Sequence, residues 1–205
     1  MLTRLLGTYE AELHDILYEF KNNKYEEIIN VGAAEGYYAI GLSMIFPNTK
    51  IRAYEIDPVV FAYTDKMVKH NNKENQIELK NKDALKDFQN INLNQRFLIF
   101  VDCERCEFEL FDKNISENFF SSDLIIEMHV NNSDTTIIES NFFKTHYIQR
   151  VFCKKRKRLF FANKSSFLVF YGFAPLVLRI CSAGRVRECF DGHIFTDTFL
   201  ISYGQ

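Results

Sequence analysis

The stretch NVGAAEGYYAIGLS, Asn30 to Ser43, decides the fold of this chain. It begins inside the short β-branched run EEIINVG and continues into GYYAIGLSMIF, whose apolar residues recur at helical spacing until Pro47. A strand, a glycine turn and a helix are therefore predicted in that order. Units of this kind build sheets that are covered by helices.

The strand–helix alternation continues along the chain. Strands are predicted in KIRAYE (50–55), QIELKN (76–81), RFLIFVD (96–102) and DLIIEMH (123–129), and helices in PVVFAYTDKMVKHNN (58–72) and CEFELFD (106–112). Continuous apolar strands between helices predict an α/β, doubly wound, Rossmann-like fold with a mainly parallel sheet and helices on both faces. The runs YIQRVFC and TDTFLISY are expected to be the last strands, including a C-terminal antiparallel strand, with a partly helical stretch over 164–190 between them.

Composition indicates one globular domain. The chain has 205 residues, of which 47% are hydrophobic, and its net charge of −2 gives no overall attraction to nucleic acid or to an anionic membrane. We expect an N-terminal helix in 1–22, a ligand-binding core in 23–152 and substrate-side elements in 153–205. The first residues contain acids within an amphipathic pattern, and the apolar run 167–178 is too short to span a bilayer, so a cytoplasmic location is expected.

Cysteine usage favours reduced thiols. The chain contains five cysteines, an odd number, and lacks a second CxxC pair at zinc-ligand spacing. Cys103 and Cys106 form one CxxC between a predicted strand and a predicted helix. A redox or metal role for this pair is the alternative to a chance spacing.

Carboxylates gather where the predicted strands end. The strand ends are Gly32–Gly36, Glu55–Asp57, Asp83, Asp102–Glu104 and Glu127–His129. In a doubly wound sheet, ligands bind beyond the carboxyl ends of the strands. These positions are therefore the candidate site.

The glycine turn does not suit a pyrophosphate. A dinucleotide-binding turn needs glycines where this chain has Ala34 and Tyr37. Glu35 would also place a negative charge beside the helix N-terminus that a pyrophosphate would occupy. NAD and FAD are therefore disfavoured.

A cationic nucleoside without phosphates suits the same residues, and S-adenosylmethionine is such a ligand. Glu55 ends the second strand, where a carboxylate can accept hydrogen bonds from both ribose hydroxyls. Asp83 follows the third strand and could accept a hydrogen bond from the adenine amino group. The alternative is a plain strand–helix turn with Glu55 as a solvated surface acid.

With these motifs in order, the chain resembles class I S-adenosylmethionine-dependent methyltransferases, in particular FkbM-type and related bacterial enzymes. The resemblance rests on LLGTYEAEL, VGAAEGYYAIGLS, AYEIDP, HNNKEN with KDAL, VDCERCEFELFD and LIIEMH, over the first two thirds of the chain. It implies a cofactor site made of Tyr9, Glu10, Gly32, Ala33, Ala34, Glu35, Gly36, Tyr37, Glu55, Ile56, Asp83, Ala84 and Asp102. Two residues depart from the family pattern: Asn30 replaces an acid, and Arg105 replaces a glycine.

The reacting end of the site is expected beside Asp102, Glu104, Glu127 and His129. Methyl transfer depends mainly on positioning, and a base helps only when the acceptor loses a proton. We predict catalytic roles for His129, Glu127 and Glu104, with His129 as the base for a hydroxyl acceptor. The alternatives are a hydrogen-bonded structural histidine, or a divalent cation held by these side chains; no metal is predicted.

The resemblance implies methyl transfer to an oxygen of a small molecule or glycan. Two other hypotheses remain: a methyltransferase-like fold that binds a ligand or partner without catalysis, and an RNA methyltransferase that uses the basic run CKKRKR, 153–158. No RNA-binding module accompanies that run, so nucleic acid is not the expected partner. The sequence predicts neither the acceptor nor the oligomeric state.

Overall fold

The computed structural model describes residues 9–10, 12–91, 95–128, 132–152 and 176–182. In this part of the chain the strands form one sheet in the order β3-β2-β1-β4-β5-β7-β6. The strands are β1 Glu27–Val31, β2 Lys50–Tyr54, β3 Ile77–Lys80, β4 Phe97–Val101, β5 Asp123–Met128, β6 His146–Phe152 and β7 Leu176–Ser182. The first five are parallel, whereas β7 runs antiparallel to both β5 and β6.

One helix precedes β1, and the others lie in the connections between the strands. The helices are α1 Glu12–Phe20, α2 Tyr37–Ile45, α3 Pro58–His70, α4 Leu85–Phe88, α5 Glu107–Leu110, α6 Lys113–Ser116 and α7 Asn132–Phe142, with a 3₁₀ turn at Glu117–Phe119. The predicted doubly wound, Rossmann-like fold with a C-terminal antiparallel strand is confirmed. None of the described helices is both long enough and apolar enough to cross a membrane.

Local sequence signals explain where α3 begins. Asp57 caps the helix, because its Oδ1 accepts hydrogen bonds from the backbone N–H groups of Val59 at 2.7 Å and Val60 at 3.0 Å. Pro58 occupies the first turn, where its missing N–H costs no helical hydrogen bond. The helix therefore starts directly after the end of β2 and leaves Glu55 at the strand end.

Apolar side chains cover the sheet on both faces. One face carries Ile28, Phe100 and Ile125 and packs against α1 and α2, whereas the other carries Ile29 and Ile99 and packs against Phe111, Phe119 and Phe142. Every residue of β4 and β5 is buried. Strands covered on both faces have no polar face to alternate with, which explains the continuous apolar run FLIFV in β4 and the apolar centre LII of β5.

The last two strands differ in part from the expectation. YIQRVFC covers all of β6 except its first residue, His146, but 176–182, expected to belong to a partly helical stretch, forms β7. This strand lies between β5 and β6, with Ile126 opposite Leu178 and Ile148 opposite Ile180. Pairing with strands distant in sequence overrides the local periodicity. The predicted strand TDTFLISY lies outside the described residues.

Candidate active site

The glycine turn joins the carboxyl ends of β1 and β2. Gly32 has a φ of +79°, and the N–H groups of Gly32 and Ala33 both donate to the carbonyl of Tyr54, at 3.0 and 2.9 Å. A second glycine, Gly36, has a φ of +87° and is the N-cap of α2. Positive φ angles favour glycine, so these two positions shape the turn.

Gly32 also allows the loop after β4 to approach the turn. A Cβ on Gly32 would lie 1.8 Å from the carbonyl oxygen of Asp102 and 3.1 Å from the Cα of Cys103. The N–H of Asp102 donates to the carbonyl of Val31 at 3.0 Å. The ends of β1 and β4 are thus held in direct contact, and a side chain at Gly32 would separate them.

Glu55 is buried at the end of β2 and connects two loops. Its Oε2 accepts a hydrogen bond from the N–H of Ala34 at 2.9 Å, and its Oε1 accepts one from the N–H of Asp57 at 2.9 Å. The side chain of Asn81 donates to the Glu55 carbonyl at 2.8 Å. The carboxylate therefore faces the glycine turn, which contradicts the alternative of a solvated surface acid.

A pocket of about 390 Å³ opens beyond these strand ends. Binding pockets for small ligands commonly start near this size. The ends of β1, β2, β4 and β5 and the loop after β3 contribute its walls. The lining residues are Tyr9, Val31, Gly32, Ala34, Tyr54, Glu55, Ile56, Lys82, Asp83, Ala84, Asp102, Cys103, Glu104, Cys106 and Glu127.

The lining of this pocket is strongly acidic. Five carboxylate residues, Glu55, Asp83, Asp102, Glu104 and Glu127, face one cation among the described lining residues, Lys82. The Lys82 ammonium is itself paired with Asp87 at 2.7 Å. Such a lining attracts cations and repels phosphate groups.

The family comparison agrees with this geometry. A family profile described as "O-methyltransferase" matches residues 4–130. The chain belongs to the O-methyltransferase family. The prediction of a class I S-adenosylmethionine-dependent methyltransferase is therefore confirmed, whereas the family match is not to the narrower FkbM type.

Solved structures of methyltransferases share the fold of this family member. An O-methyltransferase from Bacillus cereus in complex with SAH is 12% identical, with a TM-score of 0.59 over 84% of this chain and 81% of that one. TomG from Streptomyces achromogenes, involved in tomaymycin synthesis and solved with SAM, has the same identity, coverage and TM-score. A precorrin-6y C5,15-methyltransferase from Geobacter metallireducens is 14% identical, with a TM-score of 0.58 over 82% and 86% of the two chains.

No curated protein sequence matches the chain significantly.

The structure brings most of the expected cofactor-site residues of this methyltransferase to the pocket. Eight of them lie in its wall: Tyr9, Gly32, Ala34, Glu55, Ile56, Asp83, Ala84 and Asp102. Asp83 is exposed, and one of its carboxylate oxygens accepts the N–H of Leu85 at 2.9 Å. Ala84 is buried, whereas the Ile56 side chain is 70% exposed at the rim.

Five expected residues of the cofactor site of the methyltransferase lie outside the pocket wall. Ala33 and Gly36 are buried in the turn, and the Glu35 side chain is exposed to solvent. The Tyr37 ring packs edge-on against the Tyr9 ring, with centroids 5.5 Å apart. These four residues shape or flank the wall. The sequence motif predicts all four as site residues, because a motif does not distinguish backbone turns from side chains that face a cavity.

Glu10, the fifth residue, supports the pocket indirectly. It is buried, and its carboxylate accepts a short hydrogen bond from the Tyr38 hydroxyl. The Tyr38 ring packs on Phe100 of β4, with centroids 4.1 Å apart. Burial and the Glu10 carboxylate raise the pKa of Tyr38, which keeps the hydroxyl protonated as a donor. This contact ties the segment before α1 to the sheet, close to Tyr9.

Two of the three predicted catalytic residues lie in the part of the chain that the structure describes. Glu127 is buried at the end of β5 and Glu104 is exposed in the loop after β4, and both line the pocket. His129 lies outside the described residues. Within the described part of the chain, no three His, Cys, Asp or Glu side chains converge as a metal site would require.

The expectation of reduced thiols is wrong for Cys103 and Cys106, which form a disulfide. The backbone brings their Cα atoms to 5.5 Å, a separation that permits the bridge. Both residues line the pocket, as do Lys82 and Tyr54, which sequence reasoning did not assign to the site. In the sequence, the CxxC spacing points to the two cysteines, and the position of Lys82 directly before Asp83 points to the lysine.

The two departures from the family pattern have different surroundings. Asn30 is fully buried in β1, and neither polar atom of its side chain has a hydrogen-bond partner among the described residues. Arg105 is exposed in the loop after β4, with a φ of +100°. A residue with a side chain rarely adopts that conformation, which explains why glycine is usual there.

Proposed function

We propose that this methyltransferase transfers a methyl group from S-adenosylmethionine to an oxygen atom of a small molecule or glycan. The observation that carries the proposal is the acidic pocket at the carboxyl ends of the strands, with the Glu55 carboxylate held against the glycine turn. S-adenosylmethionine supplies an electrophilic methyl group on a sulfonium. The solved relatives from B. cereus and S. achromogenes were crystallised with SAH and SAM.

The residues of the pocket suit this cofactor chemically. A sulfonium and an ammonium both carry positive charge, and the five carboxylates of the lining complement them. Binding of this cofactor does not require the glycines of a dinucleotide-binding turn, because those glycines let the backbone approach a pyrophosphate and this cofactor has none. The acidic wall instead selects against NAD.

Glu55 is proposed to hold the ribose. Each of its oxygens already accepts one backbone N–H, from Ala34 or from Asp57. A carboxylate has about four lone-pair sites, so two remain for the ribose hydroxyls. The backbone bonds fix the orientation of the carboxylate before the ligand binds, which lowers the entropic cost of binding. We assign Asp83 and Ala84 to the adenine end.

The other end of the pocket is proposed to hold the acceptor. Asp102, Glu104 and Glu127 line it, and His129 follows β5 directly. For an acceptor hydroxyl, a carboxylate or His129 accepts the proton as the new bond to the methyl carbon forms and the carbon–sulfur bond breaks. Holding the acceptor oxygen in line with that bond is the larger contribution.

Several finer expectations belong to this proposal. The relationship to FkbM-type enzymes rests on the whole set of motifs that carry the resemblance, from LLGTYEAEL to LIIEMH. The segment 153–205 is assigned to the acceptor side, and the cytoplasm is the proposed location. The basic run 153–158 lies outside the described residues, and no described contact favours RNA as the acceptor.

Isothermal titration calorimetry with S-adenosylhomocysteine tests the assignment of Glu55. The Glu55→Gln variant replaces one acceptor oxygen by an amide donor, and we expect its affinity to fall at least about tenfold, corresponding to the loss of one hydrogen bond to a charged group. Glu74→Gln is the matched control: this glutamate is exposed in the loop before β3 and should bind like the wild type. Circular dichroism verifies that both variants are folded.

Two results would contradict the proposal. Equal affinity of a folded Glu55→Gln variant and the wild type would remove Glu55 from the ribose site. Binding of NAD in preference to S-adenosylhomocysteine by the wild type would overturn the cofactor assignment itself.

A further inference from the structure

The disulfide between Cys103 and Cys106 lies in the wall of the methyltransferase pocket. It closes the four-residue loop that follows β4, directly between Asp102 and α5. Both cysteines are half-buried, and both line the cavity in which the ligand is proposed to bind. A small thiol that enters the pocket therefore meets the bridge without any unfolding of the core.

The backbone inside this loop is held in an unusual conformation. Glu104 has a φ of +53° and Arg105 has a φ of +100°, so two consecutive residues with side chains lie in the left-handed region. Such residues are strained and persist when the surrounding structure holds them. In this loop the covalent bridge spans the two strained residues. Its opening removes the covalent restraint on them.

The loop is in direct contact with the glycine turn. The carbonyl of Asp102 occupies the space beside Gly32, where a Cβ would lie 1.8 Å from the oxygen, and the Cα of Cys103 lies next to it. A change in the path of the chain after Asp102 would therefore shift the loop after β4 relative to the glycine turn, and both line the pocket. It also moves the Asp102 and Glu104 carboxylates that line the reacting end.

We propose that Cys103 and Cys106 form a reversible thiol–disulfide site whose oxidised state shapes the pocket and whose reduction loosens it. An external dithiol attacks one sulfur as a thiolate, a mixed disulfide forms, and the second thiol of the reductant releases it. The two protein sulfurs gain two electrons and two protons in total, while the dithiol becomes a disulfide. Disulfides in reducing compartments are usually transient or redox-sensing, which suits such a site.

The first test measures the site without any cofactor. The full chain is incubated with oxidised or reduced dithiothreitol, alkylated and mapped by peptide mass spectrometry, and hydrogen exchange is followed in parallel. We expect Cys103 and Cys106 to be alkylated only after reduction. Exchange at residues 32–36 and 102–108 should become faster in the reduced protein, since loops that lose a restraint open more often.

The second test measures the effect on the pocket and rests on the proposed function. S-adenosylhomocysteine affinity should be about fivefold or more weaker for the reduced protein than for the oxidised one, a ratio that modest loop relaxation produces. The variant Cys103→Ser/Cys106→Ser is the matched control, because it cannot form the bridge. Its affinity should resemble that of the reduced protein in both oxidised and reduced dithiothreitol.

The outcomes distinguish this inference from the proposed function. Alkylation of both cysteines before reduction, or identical exchange and affinity in the two redox states, would overturn the inference and leave the methyltransferase assignment intact. If neither state binds S-adenosylhomocysteine while exchange still responds to reduction, the cofactor assignment fails and the redox site stands. If the double serine variant responds to reduction as strongly as the wild type does, the effect arises from another cysteine, and the inference is overturned.

Discussion

Gly32 and the carbonyl of Asp102 are in such close contact that a Cβ on Gly32 would lie 1.8 Å from the carbonyl oxygen. Gly32 has a φ of +79°, so both its conformation and its surroundings require a residue without a side chain. This contact lies just beyond the carboxyl ends of the paired strands β1 and β4, where both residues line the pocket. The pocket therefore depends on a backbone approach as much as on its acidic side chains.

Gly32→Ala is expected to reduce the free energy of unfolding by about 2 kcal/mol or more, because the added methyl group separates two backbone segments. S-adenosylhomocysteine binding should be lost in the same variant. Urea unfolding and calorimetry measure the two effects.

Gly41→Ala is the matched control for this substitution. Gly41 lies in α2, and a Cβ there meets no atom within 4 Å. Alanine should raise the unfolding free energy by about 0.5–1 kcal/mol, the usual difference between these residues in a helix, with unchanged ligand affinity. A Gly32→Ala variant as stable as Gly41→Ala would contradict the close approach.

Asp123→Ala is expected to destabilise the protein by about 3 kcal/mol, because it leaves a partly buried guanidinium without its partner. The Asp123 carboxylate is buried, forms an ion pair with Arg96 and accepts a hydrogen bond from the Tyr25 hydroxyl at 2.8 Å. The control is Glu139→Ala, which breaks the more exposed pair with Arg150. Its cost should be below about 1 kcal/mol. Equal urea midpoints for the two variants would show that burial of the first pair has no effect on stability.

The stability of the protein should fall as the pH is lowered from neutral. Burial lowers the pKa of His146 below its ordinary value of 6.5, although hydrogen bonds to the carbonyls of Ser122 and Phe119 and the charge of Asp123 oppose this shift. Between the folded and unfolded pKa values the unfolded chain binds more protons. The contribution of His146 to the unfolding free energy is therefore complete above pH 6.5 and is lost as the pH falls toward the folded pKa.

Urea unfolding at about pH 7.5 and about pH 5.5 measures this contribution. The decrease between the two pH values should be smaller in His146→Gln, which keeps polar atoms near the carbonyl of Ser122 but has no titrating ring. If the wild type and the variant lose the same stability, His146 is not the titrating group.

Asn30→Leu is expected to raise the unfolding free energy by about 1 kcal/mol. The Asn30 side chain is fully buried and has no hydrogen-bond partner among the described residues, so a nearly isosteric apolar residue removes an unmet polar group. Thermal unfolding with and without S-adenosylhomocysteine provides the measurement. A loss of stability in the absence of ligand would indicate that the amide has a protein partner.

Local patterns were sufficient to predict most elements of this fold. The runs EEIINVG, RFLIFVD and DLIIEMH contain β1, β4 and β5, and the predicted helix at 58–72 contains α3. A strand or helix that is buried has apolar residues in a characteristic run or at a regular spacing along the sequence. Caps such as Asp57–Pro58 mark where helices begin. The position of Glu55 at a strand end followed from the same patterns.

Long-range pairing was not visible in these patterns. The strand β7 lies between β5 and β6 in the sheet, and its pairing with these two strands cannot be predicted from its own residues. The contact of Tyr38 with Glu10 likewise joins residues 28 positions apart. Such contacts depend on how separate elements pack, which single-sequence periodicity does not record.

The sequence by itself determined the strand–helix order, the turn that requires Gly32 and Gly36, and the acidic ends of the strands, because each of these depends on neighbouring residues. Only the tertiary structure decided that Asp102 touches Gly32, that Glu55 faces the turn, and that Cys103 bonds to Cys106 in the pocket wall. The physical reason is that these contacts depend on the path of the backbone and on the packing of the sheet. Composition and spacing do not encode those distances.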